Sequence, residues 1–228
     1  MVITFSGGIE IPPGGGIRTV VAVAAPPNFE NTWDTVNAGA GQYTFSNGDL
    51  TVVLSDEGFY TVRTLGSVSS GKYYTEFTID TDDRFTIFGV ITIDALTGQT
   101  TWPGKDLEGY GYYGAAGKKI RGNSQVAYGD IWAGGDIIAI ALDLDNGAIW
   151  FSKNGTWQTN DGAAPGIVSA DIAAYNATAI AGAAYTGITG TYFVGASIFS
   201  APNGFTSNFG ATAFGATPPT GFIGWPGP

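Results

Sequence analysis

The stretch Gly135 to Trp157, which reads GDIIAIALDLDNGAIWFSKNGTW, constrains the fold more than any other part of the chain. Its apolar residues run almost unbroken to Leu144, stop at Asp145-Asn146-Gly147, and resume through Ala148 to Phe151 before a second Asx-Gly pair at Asn154-Gly155. Asn and Gly tolerate the positive φ that a hairpin turn of the right hand requires, so the spacing predicts two antiparallel connections in quick succession. A buried helix is the competing reading of so long an apolar run, and the Gly and Asx residues on both sides argue against it. A ribbon this rich in β-branched and aromatic residues implies an antiparallel sheet with at least one fully buried face.

The composition points the same way and closes off most chemistry. Of 228 residues, 36 are glycine and 14% are aromatic while only 12% carry charge, as expected of an all-β chain with many tight turns built as one large domain with appendages. A net charge of −10 speaks against nucleic acid as a partner, because phosphate neutralisation needs clustered Lys and Arg. The chain has neither cysteine nor histidine, which removes disulfides, thiolate nucleophiles, imidazole bases and the usual zinc sites. Asp143, Asp145 and Asn146 imitate the front of a calcium loop, but Gly147 arrives too early and no bidentate Glu follows, so these side chains are read as turn formers. Glu10, Glu30, Glu57, Glu76 and Glu108 show none of the clustering that a glycosidase carboxylate pair requires. The chain is therefore expected not to be an enzyme and to take no cofactor or metal. It has no basic-then-apolar leader and no apolar run of about 18 residues, so neither signal-directed secretion nor membrane insertion is expected.

Residues 1–30 read as an arm. Val2, Ile3 and Phe5, then Ile9 and Ile11, make two short β-like pieces, Pro12 to Gly16 breaks them, and Ile17 opens a further apolar segment that Pro26-Pro27 closes. So short an apolar arm cannot bury itself, and its strands must pair with another copy, a neighbouring protein or an edge of their own domain. A loosely docked terminus is the plainer alternative. From Asn31 onward turn signals recur at short intervals, and strands are expected at Gln42–Ser46, Thr51–Leu54, Tyr60–Thr64, Lys72–Ile79, Phe85–Ile93, Gly109–Tyr113, Lys118–Arg121, Ile137–Asp143, Ala148–Lys153 and Thr191–Phe199. Ala163 to Gly190 lacks clear alternation and is read either as an inserted loop that packs on a partner or as a weakly patterned pair of strands. It holds too many apolar side chains to stay solvated.

Several of these motifs occur in a telling order: Ser70-Gly71-Lys72-Tyr73-Tyr74-Thr75-Glu76-Phe77, Phe88-Gly89-Val90, Gly109-Tyr110-Gly111-Tyr112, Gly117-Lys118-Lys119, Tyr128-Gly129, the hairpin block itself, and Asn208-Phe209-Gly210 followed by Pro218 to Phe222. This order resembles the SPRY domain over about Asn31 to Phe222. The resemblance implies an all-β fold, a bent two-sheet antiparallel sandwich of jelly-roll-like form, here spanning residues 31–224 with 225–228 as a tail. It also implies a non-catalytic interaction module whose contacts come from loops at one end.

The aromatic and basic run from Thr101 to Arg121 is the best candidate for such contacts. Trp102, Tyr110, Tyr112, Tyr113, Lys118, Lys119 and Arg121 lie close together there, with Asp82 and Arg84 on another loop, and Tyr, Trp and Arg dominate binding hot spots. Each aromatic is as readily core as contact, because alternate residues of a strand face opposite ways. Together, the arm, the sandwich, the glycine content and the acidity resemble bacteriophage structural proteins. The expectation is a homo-oligomeric virion protein, assembled in the host cytoplasm, that holds other virion proteins by its arm and meets a host-surface protein or glycan with its loops, as a tail or fibre component or a capsid decoration. A free intracellular adaptor is the alternative, and a carbohydrate-binding or carbohydrate-active sandwich is a weaker one.

Overall fold

The computed structural model describes residues 30–38, 42–81, 85–95, 97–159 and 166–228. Of the arm, Val2, Ile3, Phe5, Ile9, Ile11 and Ile17 lie outside the described residues, as do Asp82 and Arg84. In chain order the elements are β1 (Tyr43–Ser46), β2 (Thr51–Leu54), β3 (Tyr60–Val68), β4 (Lys72–Ile79), β5 (Ile87–Ile91), β6 (Gly98–Gln99), β7 (Gly109–Tyr113), β8 (Lys118–Arg121), β9 (Ser124–Ala127), β10 (Ile137–Asp143), β11 (Ala148–Lys153), β12 (Thr156–Trp157), α1 (Ser169–Ala174), α2 (Ala177–Gly182), β13 (Tyr185–Thr186), β14 (Tyr192–Ile198), β15 (Gly204–Asn208) and β16 (Ile223–Gly224). They form a two-sheet sandwich. One sheet runs β1-β2-β15-β4-β10-β11-β12, with β13 added on β11 and β16 lying parallel to β4. The other runs β6-β3-β14-β5-β7-β8-β9 and is antiparallel throughout.

The hairpin anticipated from the sequence forms β10 and β11, in register from Ile138↔Lys153 to Asp143↔Ala148. Gly147, Asn154 and Gly155 take φ of 69°, 51° and 77°, the left-handed conformation that their turns demand. Asp143 shapes the first turn: its carboxylate accepts from Asn146 N and Nδ2 at 3.0 and 2.8 Å and pairs with Lys72 at 3.0 Å. Ile138, Ile140 and Leu142 point between the sheets, while Ala139 and Ala141 point outward and are buried as well. Burial on both faces explains why the apolar run is unbroken rather than alternating.

What covers that outer face is the segment that lacked a pattern. Over its described part, Ala163 to Gly190 forms α1, α2 and β13, neither the partner-facing loop nor the strand pair expected. Asn176 caps α2 by accepting from Ala179 N at 3.0 Å, and Ile172 and Ala179 pack with Trp150, whose Nε1 donates to the Ala179 carbonyl at 2.8 Å. Alanine-rich turns of helix suit this position because small side chains let the helices approach the sheet closely.

Between the sheets, Phe77 of β4 stacks on Phe88 of β5 with centroids 4.3 Å apart and planes 9° apart. Trp33 closes the same cluster from before β1, against Phe77, Phe205 and Phe209. Trp225, set apart from the sequence as part of a tail, belongs to this core: it is fully buried beside Tyr73 and donates to the Gly66 carbonyl at 3.2 Å. A Cβ on Gly66 would come 2.1 Å from the Pro226 carbonyl oxygen, so the chain end is packed into the sandwich and is not a tail.

Candidate interaction surface

Antiparallel pairing brings five chain segments to one end of the seven-stranded sheet. The start of β3 meets the ends of β6 and β14 (Tyr60↔Gln99, Ile198↔Tyr60), and the start of β5 meets β14 and the end of β7 (Ser197↔Ile87, Ile87↔Tyr113). Residues just beyond these pairs therefore converge. Phe59 lies 4.8 Å from Phe199, 5.1 Å from Trp102 and 6.5 Å from Tyr113 between ring centroids, and Phe85 lies 5.9 Å from Phe199. Phe85 is 41% and Phe199 36% exposed, and the other three rings are half-buried. A contiguous aromatic patch facing solvent is uncommon on a solitary domain and is typical of a docking surface.

The patch is held rigidly from behind. The Phe59 carbonyl accepts from Thr100 N at 2.6 Å and the Phe199 carbonyl from Gly58 N at 2.9 Å. From Thr101 the chain crosses the outer face of the sheet, where the Thr101 hydroxyl donates to Thr61 Oγ1 at 2.9 Å and Ser197 Oγ donates to the Thr101 carbonyl at 3.1 Å. The crossing is close enough to need glycine beneath it, since a Cβ on Gly111 would stand 2.2 Å from the Pro103 carbonyl oxygen. Gly111→Ala is accordingly expected to lower the unfolding free energy in urea by about 2 kcal/mol through overpacking. An unchanged midpoint would mean that the crossing segment is not seated as described.

A family model described as the SPRY domain matches residues 72–212. The chain belongs to the SPRY domain family. The SPRY domain of human HERC1, in its crystal structure, shares the fold at a TM-score of 0.58 and 16% identity, covering 79% of this chain and 99% of that one. SPRY domains are in general non-catalytic modules that mediate protein–protein interactions. The matched part of this SPRY domain carries Phe85, Trp102, Tyr113 and Phe199, while Phe59 precedes it.

The residues singled out from the sequence are divided by the structure. Trp102 and Tyr113 join the patch, and Lys118 is the cross-strand partner of Tyr113. Tyr110 and Tyr112 do not join it; they are 3% and 0% exposed and face the core. The two tyrosines are spaced by two and so share one face of β7, leaving the other to Gly109, Gly111 and Tyr113. Tyr110 packs on Tyr185 and Tyr192, and the Tyr112 hydroxyl donates to the Asp130 carbonyl at 2.6 Å, with burial pushing that phenol far above its ordinary range. Lys119 points inward too: its ammonium donates to the Ala184 carbonyl at 2.8 Å, and burial lowers its pKa. Arg121 is exposed at the far end of β8, its guanidinium 4.5 Å from the Tyr110 ring centre, away from the patch.

Sequence reading missed Phe59, Phe85 and Phe199. Phe85 and Phe199 were counted as strand residues, yet they fall just outside β5 and β14, and Phe59 and Phe199 sit beside Glu57-Gly58 and Ser200 to Pro202. An aromatic abutting a turn rather than alternating within a strand was the available signal. A polar cleft of about 320 Å³ opens at the same end between Tyr128–Asp130 and Thr156–Thr159. Its buried Gln158 is already engaged, accepting from Asp130 N at 2.6 Å and donating to the Thr156 carbonyl at 3.0 Å.

Proposed function

We propose that this SPRY domain is a non-catalytic binding module that docks on a protein partner through the patch of Phe59, Phe85, Trp102, Tyr113 and Phe199. The observation that carries the reading is the convergence of these rings from five segments onto one exposed, backbone-pinned surface. A protein partner suits the patch better than a glycan. Phenylalanine offers no polar handle for sugar hydroxyls, and the Trp102 Nε1 is buried without a hydrogen-bond partner among the described residues. We propose further that residues 1–30 tether the module to a bacteriophage particle as a homo-oligomeric tail, fibre or capsid-decoration component assembled in the host cytoplasm. This second step rests on the apolar, Gly- and Pro-punctuated arm alone.

Two measurements separate these steps. The double variant Trp102→Ala, Tyr113→Ala is expected to lose at least about tenfold in partner affinity, since hot-spot aromatics each contribute more than about 1 kcal/mol, with the melting temperature within a few degrees of wild type. A folded variant that binds unchanged removes the patch from the interface. Mass spectrometry of purified particles should find the chain among the virion proteins, and its absence there would favour the free adaptor.

A further inference from the structure

We infer that the partner segment which enters the aromatic patch carries lysine or arginine side chains beside its apolar anchor, an inference that rests on the patch being the docking surface. Three exposed carboxylates lie on the segments that lead into the patch, and none has an ion-pair partner among the described residues. Asp56 and Glu57 are exposed on the loop that delivers Phe59, and Asp80 is exposed where β4 leaves for Phe85. Asp56 accepts from Glu57 N and Asp80 from Thr206 Oγ1, both at 2.8 Å, and these donors leave the negative charge in place. Among the described residues the ion pairs are Arg63–Asp34, Lys72–Asp143 and Lys153–Asp136, so none of the three is neutralised.

Among the described residues the cations at this end form no ion pair with these carboxylates. Lys153 is committed to Asp136, whereas the Lys105 ammonium donates only to the neutral Thr100 carbonyl and keeps its charge 4.7 Å from the Trp102 ring centre. Lys118 is half-buried opposite Tyr113. With a net charge of −10 behind it, the surface steers basic groups toward the patch and repels acidic proteins and anionic lipid. The rings then add a second attraction, because an aromatic face binds a cation through its quadrupole, and Lys105 over Trp102 shows that geometry already in use within the chain.

The test is selection of peptides from a randomised display library on the immobilised full chain, followed by titration of enriched peptides. Enriched sequences are expected to set an aromatic or aliphatic residue within a few positions of Lys or Arg. Their affinity should fall about tenfold from about 0.05 to about 0.5 M NaCl as the attraction is screened. It should fall about threefold in the pair Asp56→Asn, Glu57→Gln, and at least about tenfold in Phe199→Ser, each variant checked for an unchanged melting temperature. Enriched peptides without basic residues, or binding indifferent to salt, overturn the inference, and if Phe199→Ser still abolishes that binding the docking surface itself stands. Peptides that bind Phe199→Ser as well as wild type overturn both, and so does a selection that enriches nothing.

Discussion

Trp33→Ala is expected to lower the unfolding free energy by about 4 kcal/mol, at the upper end of what a buried large-to-small change removes, because two separate terms fall on one side chain. The indole is 0% exposed and meets Phe77, Phe205 and Phe209 with centroids 6.3, 5.5 and 5.5 Å away, so its removal leaves a cavity walled by rings that cannot collapse independently. Its Nε1 donates to Ser207 Oγ at 2.9 Å, and the buried hydroxyl loses that donor. The backbone of Trp33 also bridges Thr64 of β3, so the residue joins the two sheets from outside the named strands. Urea denaturation measures the loss, with Trp33→Phe as an intermediate variant that keeps one aromatic ring in the site while removing the hydrogen bond and part of the volume. A loss below about 1 kcal/mol for the alanine variant would show that residues 30–34 are appended to the sandwich and not part of it.

Trp33 also shows where sequence reasoning reaches its limit. The β10–β11 hairpin was legible because local turn chemistry and a long apolar run agree, and the edges of β2, β4, β7 and β8 were legible for the same reason. The central strand β15 was not. Its residues Gly-Phe-Thr-Ser-Asn hold one large apolar side chain, and their place between β2 and β4 is set by pairing partners distant in sequence, such as Phe205↔Val52 and Ser207↔Phe77. The edge strand β9 was equally silent, since Ser124, Gln125 and Val126 are exposed and bury nothing that would impose alternation. In the patch, Trp102 and Tyr113 were singled out from residue type alone. Phe59 and Phe199 needed the register of β3 against β14 before they could be seen as neighbours. Tyr110 and Tyr112 were candidates left open between core and contact, and their spacing of two puts both on one inward face.

Glu76→Ala is expected to lower stability by about 3 kcal/mol, since hydrogen bonds to a charged group each contribute about 1.5–3 kcal/mol and here several are lost at once from a buried site. Glu76 is 4% exposed, yet it forms no ion pair among the described residues. Its carboxylate is instead held by donors: Gly215 N at 2.6 Å, Ala216 N at 2.9 Å and the Tyr74 hydroxyl at 2.8 Å. Burial and the neighbouring carboxylate push the Tyr74 phenol well above its ordinary range, so it stays protonated and keeps donating. The arrangement pins the closing segment, which runs from Phe209 back to Trp225, onto the outer face of β4. There Phe214 stands edge-on to Tyr74 at 4.8 Å, and Phe222 is buried with Trp157. Removing the carboxylate takes the acceptor from the Gly215 and Ala216 amides and from the buried Tyr74 hydroxyl. Hydrogen exchange at the Gly215 and Ala216 amides, compared between wild type, Glu76→Gln and Glu76→Ala, reads the effect locally. Protection should fall in that order, because glutamine still offers one acceptor oxygen, and equal protection in all three would mean that the segment is held by its aromatic contacts alone.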